Sequence, residues 1–304
     1  MIYEETELLM ENEEDFSEIS FEAESKNEIK KGALYVVGTP IGNLSDFSPR
    51  AVHTLANVDF IAAEDTRVTV KLLNHFGIKK PLVSYFEHNK LQRGDIICQR
   101  ILAGESCAQV SDAGMPAISD PGELLVKQCA ELNIPVYVVP GPTAMASALA
   151  VSGLPTGRFT FEGFLSVNKR NRREHLDEVK NEKRTMVFYE APHKLLNTLR
   201  DMLEVFGDRN IALVRELTKI HEEVKRTTLS GAVAYYSENP PKGEFVLVID
   251  GAKESEEKEL TIEDALELAR KKIEDGMSAS FAAKEAAKET GFKKNEIYKL
   301  LVEE

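Results

Sequence analysis

The residues able to do chemistry sit where short apolar runs end. Gly38-Thr39-Pro40-Ile41-Gly42-Asn43-Leu44 directly follows the run Leu34–Val37. Glycines at a strand's C-terminal edge let the backbone approach a ligand closely, although a tight strand-to-helix turn would use the same residues. The spacing is neither GxGxxG nor GxxxxGK(S/T), so it supports neither a dinucleotide fingerprint nor a P-loop. Between Ser111 and Gly122, two glycines, two prolines and two aspartates fall within twelve residues. A plain connector needs far fewer special backbone positions. Asp112 can accept hydrogen bonds from an ammonium or hydroxyl group, and Asp120 reads as the cap of the helix that follows. In Val139-Pro140-Gly141-Pro142-Thr143-Ala144, Pro142 and Thr143 would start a helix whose first amides are free to meet a ligand's polar edge. Ala144, Ala146, Ser147 and Ala148 suit close helix–sheet packing.

Three further segments carry charge. Phe188-Tyr189-Glu190-Ala191-Pro192-His193-Lys194 turns from strand to helix and can present polar groups to a cleft. Glu64-Asp65-Thr66-Arg67 ends the second apolar run; helix capping by Asp65 or Thr66 with a surface Glu–Arg pair is the plain alternative to chemistry there. Lys169-Arg170-Asn171-Arg172-Arg173 is the densest basic cluster, readable as a solvated face or as a phosphate contact. The six histidines are scattered, HExxH and GxSxG are absent, and no metal site is expected.

These segments need a frame to hold them. Short apolar runs alternate with helical periods: Leu34–Val37 then 49–56, Phe60–Ala63 then 66–76, 108–110 then 121–132, Val136–Val139 then 143–151. Such alternation predicts an α/β domain with a largely parallel sheet. Ser48-Pro49 marks one helix start with a cap and a first-turn proline. After Pro155 the strands read as 158–164, 186–189, 211–214, 224–229 and Phe245–Ile249, with helices near Leu176 and at 195–206, a second α/β domain of more antiparallel character. Residues 252–260 read as a charged linker, followed by helices at 262–272, Ala279–Thr290 and 294–301, with Gly291 as helix-turn-helix punctuation. The expected organisation is an acidic, disordered tail (1–31), domains at 32–152 and 153–252, and a linker with a three-helix domain at 253–304.

Composition excludes several classes. Of the 304 residues 42% are hydrophobic, enough for a sizeable core. No apolar run approaches the roughly 18 residues that cross a membrane. Glu4, Glu5 and Glu7 have the wrong sign for a signal peptide. Cys98, Cys107 and Cys129 form no CxxC pair and read as buried thiols of a cytoplasmic protein. The net charge of −13 is concentrated at the ends, −8 over residues 1–31 and −4 over 253–304. The middle is nearly neutral, so a local basic surface for nucleic acid is compatible with an acidic chain.

Taken in order, VVGTPIGNLSDFSPRA, AAEDTR, SDAGMPAISDPG, VVPGPTA, FYEAPHK, RELTKIHEE and KGEFVLVI resemble the bacterial small-subunit (16S) ribosomal RNA cytidine 2′-O-methyltransferases, within the tetrapyrrole-methylase superfamily. The resemblance covers about residues 33–250, and the helical tail is similar to that family's small C-terminal domain. It implies a two-domain tetrapyrrole-methylase-like α/β fold, a homodimer, and S-adenosyl-L-methionine held between the domains. By motif, Pro40, Asp112, Gly114, Met115, Pro116, Thr143 and Ala144 would contact the cofactor from the first domain. Tyr189, Ala191, Leu217 and Gly243 would close around adenine from the second. The GxGPG first loop usual in the superfamily is GTPIGNL here, a departure that disfavours a porphyrinoid substrate.

The reaction so implied is displacement at a sulfonium methyl, in which the protein chiefly aligns the reacting atoms. A ribose hydroxyl needs a late proton acceptor. Glu64 and Asp65 are the candidates, with Arg67 orienting one of them or holding a phosphate, and His88 as an alternative. Lys169, Arg170, Arg172 and Arg173 are the candidate contacts to 16S ribosomal RNA or the small subunit. Two other readings stand beside this one: methylation of a tetrapyrrole ring on the same scaffold, and a non-catalytic RNA-binding protein working through its C-terminal helices. The latter's net −4 argues against it, since an RNA-reading helix should be visibly basic.

Overall fold

The computed structural model describes residues 28–253 and 261–302, so the expected tail and linker fall largely outside the described residues. Where the tail's last residues are described they join the body. Ile29 packs on the first core, and the Lys31 ammonium lies 2.5 Å from Asp59. The chain divides into two compact units, residues 1–252 and 253–304.

The first unit opens with β1 (Leu34–Val37), α1 (Pro49–Asn57), β2 (Phe60–Ala63), α2 (Thr66–His75), β3 (Leu82–Ser84), α3 (Lys90–Leu102), β4 (Cys107–Val110), α4 (Glu123–Glu131), β5 (Val136–Val139) and α5 (Ala144–Ser152). Its strands form one parallel sheet in the order β3-β2-β4-β1-β5. β1, β2 and β4 are buried along their whole length, as short apolar runs must be when helices cover both faces of a sheet. The Ser48 hydroxyl accepts from the Ala51 amide at 3.1 Å and starts α1 at the point the Ser-Pro pair predicts.

The second half of this unit holds β6 (Phe159–Phe164), α6 (Lys169–Val179), β7 (Thr185–Glu190), α7 (Pro192–Phe206), β8 (Asn210–Arg215), β9 (Glu223–Thr228), α8 (Leu229–Glu238) and β10 (Phe245–Ile249). The sheet order is β6-β7-β10-β8-β9, with β6 parallel to β7 and every other pair antiparallel. Helices α6, α7 and α8 cover one face through Leu176, Leu199, Met202 and Leu229. The other face is covered by α5, whose Ala148 and Leu149 pack on Val187, Val214, Val246 and Val248. The small residues of α5 therefore bring the first half of the chain directly against the second sheet. The Arg226 guanidinium closes that contact by donating to the Ser152 carbonyl at 2.9 Å.

Three elements depart from the sequence expectation. β3 and α3 lie outside the predicted alternation, and α3 lacks a capping signal because the Asn89 side chain accepts from Phe86 N (2.9 Å) rather than from a helix amide. Leu229 opens α8 rather than ending a strand, because the Thr228 hydroxyl accepts from Gly231 N at 3.2 Å and caps that helix.

The second unit consists of α9 (Ile262–Glu274), α10 (Ala279–Thr290) and α11 (Lys294–Val302). Ala265, Ala269, Ala283, Ala286 and Ile297 form its core. Thr261 and Asp264 make a reciprocal capping box at α9, and Gly291, at φ +78°, terminates α10 in the left-handed region that disfavours a side chain.

Candidate active site

The parallel sheet directs the C-terminal ends of β1, β2, β4 and β5 to one edge, where open α/β sheets collect their ligands. Two of the sequence-selected loops are tied together there. Thr39 N donates to the Gly114 carbonyl at 2.9 Å and Gly114 N returns the bond at 3.1 Å. The loops after β1 and β5 touch backbone to backbone. A Cβ on Gly141 would lie 2.8–2.9 Å from backbone atoms of Gly38, and one on Gly38 would lie 2.6 Å from the Met115 sulfur. Both positions need glycine for this approach.

A cavity of about 300 Å³ opens at this edge, at the lower end of the range for small-molecule sites. Glu64, Asp112, Gly114, Met115, Thr143 and Ala144 line it from the first sheet, and Tyr189, Leu217 and Glu244 from the second. The Tyr189 hydroxyl accepts from Met145 N at 3.1 Å and so pins β7 to the start of α5. That bond uses one of the amides expected to be free, while Thr143 makes no side-chain cap to the others. Pro40, Pro116, Ala191 and Gly243 do not line the cavity. Ala191 is the N-cap of α7. Gly243, at φ +76°, is held where a Cβ would meet Glu216 Oε1 at 2.4 Å.

Four carboxylates cluster near the ends of β2 and β4, with different duties. Asp65 caps α2, accepting from Arg67 N at 2.8 Å and from the Arg67 guanidinium at 2.6 and 3.0 Å. That pair holds its carboxyl down at about 2. Asp65 and Arg67, both expected in catalysis, satisfy each other at the helix start, and neither lines the cavity. Glu64 and Asp112 brace the two strand ends reciprocally. Glu64 Oε2 accepts from Asp112 N at 3.3 Å, and Asp112 Oδ1 accepts from Asp65 N at 3.1 Å. Burial pushes both carboxyls up.

Asp120 departs furthest from its expected role. It does not cap α4, whose N-cap is Gly122 at φ +150°. It lines the cavity instead, its carboxyl held up at about 6 by burial first and by the Glu64 carboxylate next. The D-P-G-E string mimics a helix start, while the loop before it carries positive φ at Ala117 (67°) and Ser119 (64°).

The basic cluster is also corrected in part. Arg172 is buried, with its guanidinium 2.7 Å from Asp201 and donating to the carbonyls of Ser166 (3.1 Å) and Val167 (3.2 Å). A group so enclosed holds α6 to α7 and cannot meet a phosphate. Arg173 pairs with Glu204 at 2.6 and 2.7 Å. Lys169 and Arg170 remain on the surface, Arg170 beside Glu174 at 2.8 Å. Glu190, read as a cleft-facing group, is buried and accepts from Thr198 Oγ1, Ala191 N and Lys194 Nζ. No group of His, Cys, Asp and Glu that could hold a metal occurs among the described residues.

Two α/β sheets bridged by one helix thus carry an acidic cavity at the carboxyl edge of the parallel sheet. The chain belongs to the tetrapyrrole (corrin/porphyrin) methylase family, whose model matches residues 33–233. Within it, the chain is 48% identical over 273 residues to the ribosomal RNA small subunit methyltransferase I of Synechocystis sp., covering 90% of this chain and 98% of that one. It is 50% identical over 220 residues to the protein of that name from Thermotoga maritima, covering 72% and 99%. Among solved structures, uroporphyrin-III-C-methyltransferase from Thermus thermophilus superposes with a TM-score of 0.52 at 19% identity, covering 73% of this chain and 95% of that one. Diphthine synthase superposes at 0.54 with 11% identity, covering 72% and 89%. Those two likenesses share the fold alone.

Proposed function

We infer that this protein is an S-adenosylmethionine-dependent methyltransferase that 2′-O-methylates a cytidine ribose in small-subunit (16S) ribosomal RNA. The observation that carries the reading is near-full-length similarity to small-subunit rRNA methyltransferases, joined to a cavity built from the motifs of that resemblance. The residues present fit the cofactor. Glu64, Asp112, Asp120, Glu216 and Glu244 outnumber Arg215 and Lys219 around the cavity, and Lys219 is already paired with Glu216 at 3.0 Å. An anionic cavity suits a ligand carrying a sulfonium and an ammonium. Ile41, Met145, Leu217 and Val246 give it apolar wall, and the paired glycines 38 and 141 let backbone come close. When bound, the cofactor supplies an electrophilic methyl; the chain's own task is to orient the acceptor hydroxyl and receive its proton.

The finer assignments are proposals. Residues 32–152 and 153–252 are taken as the two methylase halves, and 253–304 as an auxiliary RNA-contacting unit. Lys169 and Arg170, which follow the cavity-lining Phe164 by a few residues, are the retained phosphate contacts. A homodimer is proposed on β5. This outer strand of the first sheet leaves Val136 36% and Val138 57% exposed, which is unusual for a strand of a parallel sheet. A cytoplasmic location follows from the proposed substrate, and no helix among the described residues is long and apolar enough to cross a membrane. The test is methyl transfer from labelled cofactor to small subunits purified from cells lacking the modification. Label in 16S RNA supports the reading, and its absence with active control enzyme rejects it.

A further inference from the structure

We propose that Asp120 is the group that takes the proton from the acceptor hydroxyl, an assignment that rests on the methyltransferase reading above. The case is made by comparison with the three carboxylates at the ends of β2 and β4 and by how Asp120 is held. Asp65 is saturated by Arg67, and Glu64 and Asp112 each commit an oxygen to a backbone amide across the strand ends. Asp120 borders the same cavity, near the Ser111 hydroxyl, which itself donates to the Ala113 carbonyl at 3.4 Å. It is the one carboxylate of the four with no bracing or capping duty.

The loop around it carries more close contacts and special backbone positions than a connector needs. Gln109, buried on β4, donates its Nε2 to the Pro121 carbonyl at 2.8 Å, and a Cβ on Gly122 would strike that same nitrogen at 2.0 Å. Ala117 and Ser119 are held at φ 67° and 64°, a region that costs side-chain-bearing residues energy. Ser119 Oγ comes within 3.4 Å of where a Cβ on Gly163 would stand, so the loop abuts the end of β6. There Phe164, 53% exposed, lines the cavity together with Ile118. This exposed apolar pair can flank an unstacked base and keep water from the hydroxyl.

The groups facing Asp120 are Glu64 just after β2, Asp112 and Ser111 from the β4 loop, Tyr189 from β7 and Glu244 before β10. Burial first, then the Glu64 carboxylate, with smaller contributions from Asp112 and Glu244, hold its carboxyl up at about 6 against a lowering by Ser111, so it is ionised and basic just above that pH. In the step, the hydroxyl proton passes to an Asp120 carboxylate oxygen. The ribose oxygen forms its bond to the methyl carbon, and the electron pair of the broken C–S bond remains on sulfur.

The experiment measures single-turnover methylation of unmodified small subunits between pH 5 and 8.5 with saturating cofactor. Wild-type protein should lose rate on the acid side of about 6, or somewhat lower because a cation in the cavity favours the carboxylate. Asp120→Asn should be slower by about 100-fold or more and lack that limb, with cofactor affinity by calorimetry and subunit affinity by filter binding each within about threefold. Asp120→Ala should recover rate on addition of formate. Glu64→Gln should retain the limb. A flat acid profile in the wild type overturns the assignment whatever the variants do. So does an Asp120→Asn enzyme that keeps the limb, or one whose loss follows weakened cofactor binding. Failure of formate to rescue a folded Asp120→Ala counts against it equally. If wild-type protein transfers no methyl to RNA, the functional reading itself falls; if it does and Asp120→Asn is indifferent, only this assignment falls.

Discussion

Arg172 and Asp120 show how far residue type alone can mislead. Arg172 sits in the densest basic run of the chain, yet its partner Asp201 lies on another helix, and that pairing has no local signature. Both side chains are only 10% exposed, so Arg172→Ala strands a buried carboxylate and should cost about 3–5 kcal/mol by urea denaturation. Double substitution of Lys169 and Arg170 should instead leave stability unchanged and lower the log–log salt slope of RNA binding by about 0.7–0.9 for each phosphate no longer neutralised. Asp120 errs in the other direction, a functional carboxylate hidden in a capping string. Its folded pKa of about 6 lies above the ordinary 3.8, so its contribution to stability is fully present below about 4 and is lost as pH rises through 6. Asn at this position escapes that loss. Asp120→Asn should therefore be more stable than wild type at pH 8, by about 1–2 kcal/mol after discounting for solvent screening of a half-exposed group, with no difference near pH 4. Paired urea curves at the two pH values check both sign and window.

At the scale of elements, the strands and ligand loops are legible because most strands are short apolar runs, and β1 and β5 run directly into glycine and proline. β1, β2, β5 and β10 have the bounds their sequences suggest. The parallel character of the first sheet and the mixed character of the second are also readable, from the presence or loosening of strand–helix alternation. What sequence cannot reveal is non-local: the Thr39–Gly114 bridge, the Tyr189–Met145 bond, and the service of α5 as cover for the second sheet. The close approach of Gly38 and Gly141 gives this scale its prediction. A methyl on Gly141 meets backbone, which cannot yield as a flexible side chain would. Gly141→Ala should lose about 1–3 kcal/mol and bind S-adenosylmethionine more weakly, measured by urea denaturation and calorimetry on the same preparation.

For the whole molecule, the distribution of charge and exposure bears on partners. The acidic excess lies at the chain ends, while the cavity gathers acids for a different purpose, the binding of a cationic cofactor. With Lys169 and Arg170 as the proposed phosphate contacts, RNA binding should be salt-dependent but modest in the number of phosphates engaged. The exposed face of β5 is the proposed contact between two copies. Val138→Lys alters a residue that is more than half exposed in one subunit, so monomer stability should change by less than about 0.5 kcal/mol. Light scattering should nevertheless show the dimer mass fall to that of a monomer; an unchanged dimer would move the interface elsewhere on the protein.

The identity of the acceptor atom decides whether the proposed chemistry is right, and alkaline hydrolysis of methyl-labelled small-subunit RNA reads it out. Alkali cleaves RNA through the 2′-oxygen, so a methyl on that oxygen protects the adjoining phosphodiester. Ribose methylation places the label in one alkali-resistant dinucleotide with 2′-O-methylcytidine at its 5′ side, and this is the expected product. Label released in a mononucleotide would mean that the methyl is on a base, and would contradict the 2′-O assignment even with methyl transfer itself intact.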